Sequence, residues 1–78
     1  MIDHAQVKTV MASVFEVEVG EITDEASMDT IKSWDSLRQM NLVLALEESF
    51  GVSIPDEDAA NATSYKLIVL VLEAQLAA

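Results

Sequence analysis

The chain has 78 residues, which is enough for one small domain over residues 1–78 and too few for two. Hydrophobic residues make up 51% of it, and it has only two Gly and one Pro, so disordered, fibrous and loop-rich classes are excluded. Fourteen acidic residues against four Lys and Arg give a net charge of −10, which argues against binding to nucleic acid or to anionic membranes. The charge predicts a basic protein partner, or serves solubility alone.

The chain contains no cysteine, so disulfides, thiolate metal sites and cysteine nucleophiles are excluded. Any thioester chemistry would need sulfur from an attached group. The N-terminus is polar and lacks the apolar segment of a signal peptide. The longest apolar run, residues 67–72, is far shorter than the roughly 18–20 residues of a membrane span. We therefore expect a cytoplasmic protein without membrane insertion. We also expect it to be a monomer.

Residues 3–15 are predicted to form the first helix, capped by Asp3. Apolar residues recur there at helical spacing, at Val7, Val10, Met11, Val14 and Phe15. His4 is the single histidine, so a site with two histidine ligands is excluded, and we expect its side chain to be solvated.

Residues 16–35 have no helical period. The alternation over residues 15–19 indicates an extended segment that leads into a long acidic loop. Four apolar residues are expected to hold this loop on the core: Ile22, Met28, Ile31 and Trp34. A connection of about twenty residues is unusual in a compact domain and is often functional.

The clearest helix covers residues 36–50. Ser36 and Gln39 have the spacing of a capping box, with Ser36 as the N-cap, and Gly51 is suited to end the helix. A short helix is predicted over residues 56–60, because Pro55 precedes three acids there.

A last helix is predicted from a cap at Thr63 or Ser64 to about Ala77. It is apolar nearly all round, so we expect it to be packed on several sides. The resulting fold is all-α: a small bundle of three main helices plus one short helix, with a long loop after helix one.

The helix over residues 36–50 has two apolar faces. A core face is predicted from Leu42, Val43, Leu46 and Phe50. The opposite side carries Leu37, Met40 and Leu44, flanked by Asn41, Glu47 and Glu48. Such a strip with an acidic edge is typical of a docking surface, unless the long loop folds over it.

Ser36 allows two interpretations. It is either a simple helix cap or a site of covalent modification, since a phosphate ester is favoured at a helix N-terminus. A role as a triad nucleophile is excluded because no histidine is placed to act as its base.

Three segments together resemble an acyl carrier protein: Asp-Ser-Leu at residues 35–37, LVLALEESFG at residues 42–51, and IPDEDA at residues 54–59. The resemblance runs through the whole chain. It implies that Ser36 carries 4′-phosphopantetheine through a phosphodiester and that the arm holds an acyl or aminoacyl group as a thioester. It also implies a carrier without catalytic or metal-binding residues of its own.

The expected partners are a phosphopantetheinyl transferase, an acyl- or aminoacyl-activating ligase, and acyl-transferring or synthase enzymes with basic docking surfaces. These enzymes serve fatty acid, lipid or secondary metabolite synthesis. The residues predicted to contact them are Asp35, Leu37, Arg38, Met40, Asn41, Leu44, Glu47, Glu48 and Ile54.

Three residues depart from the pattern of carriers in bulk fatty acid synthesis. Trp34 is expected to place a half-exposed ring beside the arm, Arg38 to add a cation to the docking strip, and Asn41 to remove a carboxylate. These departures predict a specialised carrier with a dedicated ligase. Two alternatives are an acidic helical adaptor without a cofactor, and a metal binder around residues 56–58, which lacks calcium-loop spacing.

Overall fold

The computed structural model describes residues 2–77. Its helices are α1 (His4–Phe15), α2 (Ser36–Phe50), α3 (Asp56–Asn61) and α4 (Tyr65–Ala77), with a short 3₁₀ helix at Val19–Glu21. No strand occurs within residues 2–77. The predicted all-α bundle of three main helices and one short helix is confirmed.

Helix α1 is capped as expected, because the Asp3 carboxylate accepts a hydrogen bond from the Gln6 N–H at 3.1 Å. It ends at Glu16, which adopts the left-handed conformation with φ 57°. The predicted extended segment over residues 15–19 is wrong. Phe15 still belongs to α1, and Val19 already begins the 3₁₀ helix, so the alternation of residue types reflects one helix end followed by a turn.

The long loop is held on the core. Ile22, Ile31 and Trp34 are buried and Met28 is partly buried, as predicted. Backbone hydrogen bonds also join the loop to the start of α4: Tyr65 N–H donates to Ala26 O at 2.8 Å, and Met28 N–H donates to Thr63 O at 3.2 Å. The loop is therefore an ordered part of the fold that carries the chain to the beginning of α2.

The core face of α2 is confirmed. Leu42 and Leu46 are fully buried, and Val43 and Phe50 pack against the core from its edge. Gly51 ends the helix with φ 66°, a left-handed conformation that glycine adopts without the steric penalty of a Cβ.

Helix α4 differs from the expectation. It buries Tyr65, Ile68, Val69 and Leu72 on one side, whereas Leu67, Leu70 and Leu76 are 41–60% exposed. A bundle of this size offers neighbours to only one side of its last helix, so the prediction of packing on several sides is wrong. Across residues 2–77, no helix combines the length and apolar character that crossing a membrane requires.

His4 is more than a solvated side chain. Its Nδ1 lies 2.6 Å from the Tyr65 hydroxyl, so it links the first turn of α1 to the start of α4. Burial raises the pKa of the Tyr65 hydroxyl above its ordinary value, and nearby Lys8 partly opposes this shift. This hydrogen bond therefore holds the N-terminus of α1 next to the N-terminus of α4.

Candidate functional site

Ser36 is the first residue of α2 and is exposed. The N-cap is Asp35, whose carboxylate accepts the Arg38 N–H at 2.8 Å. The predicted capping box of Ser36 and Gln39 is therefore wrong: an aspartate immediately upstream takes the cap, and Gln39 turns into the core. The Ser36 hydroxyl consequently stands at a helix N-terminus without being needed to cap it.

Arg38 points away from the docking strip. Its guanidinium donates to the Val14 carbonyl at 2.9 Å and to the Glu16 carboxylate at 2.7 Å. The expectation of an additional cation on the strip is wrong in its geometry, because the end of α1 offers both a carbonyl and a carboxylate within reach. Arg38 ties the first turn of α2 to the last turn of α1.

Trp34 belongs to the core. It is only 2% exposed and stacks on Phe15, with ring centroids 4.7 Å apart. The expected half-exposed ring beside the arm is therefore wrong, since the end of α1 presents an aromatic face for the indole to cover. Ser33 adds to the same junction, because its hydroxyl donates to the Phe15 carbonyl at 2.8 Å.

Gln39 is the buried polar residue of the site, at 8% exposure. Its Oε1 accepts the indole N–H of Trp34 at 2.6 Å, and its Nε2 donates to Ala59 O at 2.8 Å and to Ala62 O at 2.9 Å. Sequence reasoning missed this role. The available signal was spacing, since Gln39 lies three residues before Leu42 on the core face of α2.

The apolar strip of α2 is open. Leu37, Met40 and Leu44 are 69%, 66% and 61% exposed, so the long loop does not cover them. Asn41 and Glu48 are exposed on the same helix. The predicted strip is thus present as an exposed surface that begins next to Ser36.

A groove of about 310 Å³ runs between α2 and α3 beside this strip. Ile54 lines its floor and is largely buried, so it shapes the groove more than it offers a free surface. The Ile54 N–H donates to the Glu47 carboxylate at 2.6 Å, which fixes the extended segment after α2. The groove is lined by Gln39, Met40, Val43, Leu44, Glu47, Ile54, Asp56, Ala59 and Ala60.

The first turn of α3 carries Asp56, Glu57 and Asp58, all exposed. Their carboxylates are favourable at a helix N-terminus. In the part of the chain that the structure describes, no three acidic or histidine side chains form a group suited to hold a metal ion.

The family model described as "phosphopantetheine attachment site" matches residues 5–71. The match covers all of α1 except its first residue, the long loop, Ser36, all of α2 and α3, and about half of α4. The chain belongs to this family. The family carries a covalently attached 4′-phosphopantetheine group and works with a phosphopantetheinyl transferase and partner enzymes, and its domains are generally non-catalytic carriers.

The site residues of this phosphopantetheine carrier fit the group. Attachment requires an accessible hydroxyl, and the family's phosphodiester is favoured where backbone N–H groups and the helix dipole attract an anion. Ser36 at the start of a 15-residue helix meets both requirements. Ser33 and Ser64 are less suited, because their hydroxyls bond to the Phe15 carbonyl and the Leu67 N–H.

Proposed function

We propose that Ser36 is the attachment point of the phosphopantetheine arm and that the protein presents acyl or aminoacyl groups as thioesters to partner enzymes. The observation that carries the proposal is the exposed Ser36 at the first position of α2, next to an apolar strip that no part of residues 2–77 covers. Covalent attachment and partner docking would then use one exposed face of the same helix.

Each feature of the chain has a definite task in this proposal. Ser36 supplies the oxygen of the phosphodiester, and the N-terminus of α2 stabilises its negative charge. The arm supplies the thiol for the thioester, which a chain without cysteine cannot provide itself. Asp35 keeps the first turn of α2 formed through its bond to the Arg38 N–H.

The docking surface would consist of Leu37, Met40 and Leu44 with Asn41 and Glu48 beside them. Apolar side chains at the centre supply binding energy, and carboxylates at the edge guide a basic partner into place. Glu47 and Ile54 act beneath this surface, where their hydrogen bond fixes the floor of the groove.

The proposal includes a dedicated acyl- or aminoacyl-activating ligase among the partners. Two of the three residues that suggested this ligase do not lie on the docking strip, because Arg38 is bonded to Val14 and Glu16 and Trp34 is buried. Asn41 is the remaining departure on the exposed strip. A ligase that recognises this strip would therefore meet an uncharged amide at Asn41 between the exposed apolar side chains and Glu48.

The test is intact mass after incubation with coenzyme A and a phosphopantetheinyl transferase. The protein should gain the mass of one phosphopantetheine group, and Ser36→Ala should gain none. Ser53→Ala, which changes another exposed serine, is the matched control and should be modified like the unaltered protein. Modification of Ser36→Ala would refute the site, and an unmodified wild-type protein would favour the adaptor function.

A further inference from the structure

Gln39 separates two spaces of very different size. On its outer side lies the α2–α3 groove of about 310 Å³, which is open to the strip. On its inner side lies a void of about 10 Å³ among core residues that include Leu42, Leu46 and Ile68. The inner void is no larger than a single water molecule requires. Gln39 is the polar member of the wall between the two spaces, and the other residues that line both are Val43, Ile54 and Ala59.

The Gln39 amide is locked in this wall. Both protons of Nε2 are donated to α3 and the chain after it, to Ala59 O and Ala62 O, and Oε1 accepts the Trp34 indole N–H. No buried side-chain nitrogen or oxygen among the described residues lacks a partner. Moving the amide aside would leave the Trp34 indole N–H, two backbone carbonyls and the amide itself without hydrogen bonds, and this cost offsets the gain from burying several methylene groups of a chain.

We infer that Gln39, held by Trp34, closes the interior of this carrier to its own cargo. The inference rests on the proposed attachment at Ser36. Cargo then stays in the outer groove, where carboxylates of Glu47 and Asp56 lie among apolar side chains. The class of cargo that suits such a carrier is a short or polar acyl group, including aminoacyl groups, and not a long alkyl chain that needs shelter from water.

The experiment compares cargo lengths on the holo-protein. Amide-linked butyryl and dodecanoyl analogues of coenzyme A are loaded by a phosphopantetheinyl transferase, and methyl resonances are recorded by NMR. Met40 and Leu44 line only the outer groove, whereas Leu46 and Ile68 line only the inner void. We expect dodecanoyl loading to shift the Met40 and Leu44 signals and to leave those of Leu46 and Ile68 unchanged.

Two variants test the wall itself. In Gln39→Ala, the dodecanoyl chain should enter the interior and shift the Leu46 and Ile68 signals. The thermal midpoint of the dodecanoyl-loaded variant should exceed that of the butyryl-loaded variant by about 6–12 °C for every two methylenes buried. Met40→Ala is the matched control, because it enlarges the outer groove without opening the wall, and its inner signals should stay unchanged.

The outcomes are distinct. Absence of a mass increase on loading would overturn the proposed function and this inference with it. A normal mass increase with shifted Leu46 and Ile68 signals in the wild-type protein would overturn the inference alone. Unchanged inner signals in a folded Gln39→Ala would show that Gln39 is not the barrier. If Gln39→Ala does not fold, the wild-type comparison still decides whether the interior is closed, and Trp34→Phe, which removes the N–H that holds the Gln39 amide, decides whether that amide is the barrier.

Discussion

The residues on either side of Ser36 are bonded to the end of α1. Ser33 and Arg38 donate to the carbonyls of Phe15 and Val14, which a helix C-terminus leaves without backbone partners. Glu16 holds a left-handed conformation that is unfavourable for a residue with a Cβ, and its carboxylate pairs with Arg38. The segment that carries Ser36 is therefore held in place by hydrogen bonds to the C-terminus of α1.

Arg38→Met should lower the free energy of unfolding by about 0.5–1.5 kcal/mol, the usual value of an internal hydrogen bond. Glu16→Gln should cost less, because Glu16 is 75% exposed and a solvent-exposed ion pair contributes little. Urea unfolding of both variants measures the difference. Because Arg38→Met removes both interactions, an equal loss in the two variants would show that the ion pair, and not the bond to the Val14 carbonyl, holds the junction.

Trp34→Phe should keep the aromatic stack on Phe15 and remove the N–H that Gln39 accepts. Leaving that buried amide oxygen without a donor should cost about 1–3 kcal/mol of unfolding free energy. A double-mutant cycle with Gln39→Ala isolates the interaction, because the two losses should sum to more than the loss in the double variant. Strict additivity would contradict a direct bond between the two side chains.

At the scale of elements, local sequence patterns predicted the helices, but they did not predict the side-chain contacts between one element and another. The bounds and core face of α2 follow from its period and from Gly51, which are properties of one segment. The run at residues 67–72 has no polar side, so its period does not say which residues of α4 face the core. The burial of Trp34 and the direction of Arg38 depend on where α1 ends in space, which no local pattern contains.

Leu44→Ala and Leu46→Ala form a matched pair on α2. Leu46→Ala should cost about 2–5 kcal/mol of unfolding free energy, because it opens a cavity in the core. Leu44→Ala should change stability by no more than about 0.5 kcal/mol, since its side chain is exposed, and should weaken docking to partner enzymes. Chemical denaturation and the KM of the phosphopantetheinyl transferase measure the two effects. A loss of several kcal/mol in Leu44→Ala would mean that the strip is a buried face.

At the scale of the whole molecule, half of the cations form ion pairs with carboxylates at the surface of the protein. Lys8 pairs with Asp24 and Arg38 with Glu16, so two of the four Lys and Arg residues already face a carboxylate. The rest of the surface is strongly acidic. The carboxylates repel one another in the folded state and attract a basic partner. Salt screens both interactions, so it should stabilise the fold and weaken docking.

Raising NaCl from about 0.05 M to about 0.5 M should raise the thermal midpoint of the free protein, because screening relieves self-repulsion. The same change should lower its association rate with the phosphopantetheinyl transferase by about tenfold or more, as expected for electrostatic steering. Glu48→Gln should flatten the salt dependence of association, since Glu48 is exposed on α2 beside the strip. Glu25→Gln removes the same charge from the long loop and should flatten it less. Stopped-flow measurements of the association rate compare the two variants. An equal flattening of the salt dependence in both would mean that net charge alone guides the partner. A stronger flattening in Glu25→Gln than in Glu48→Gln would place the docking surface on the loop.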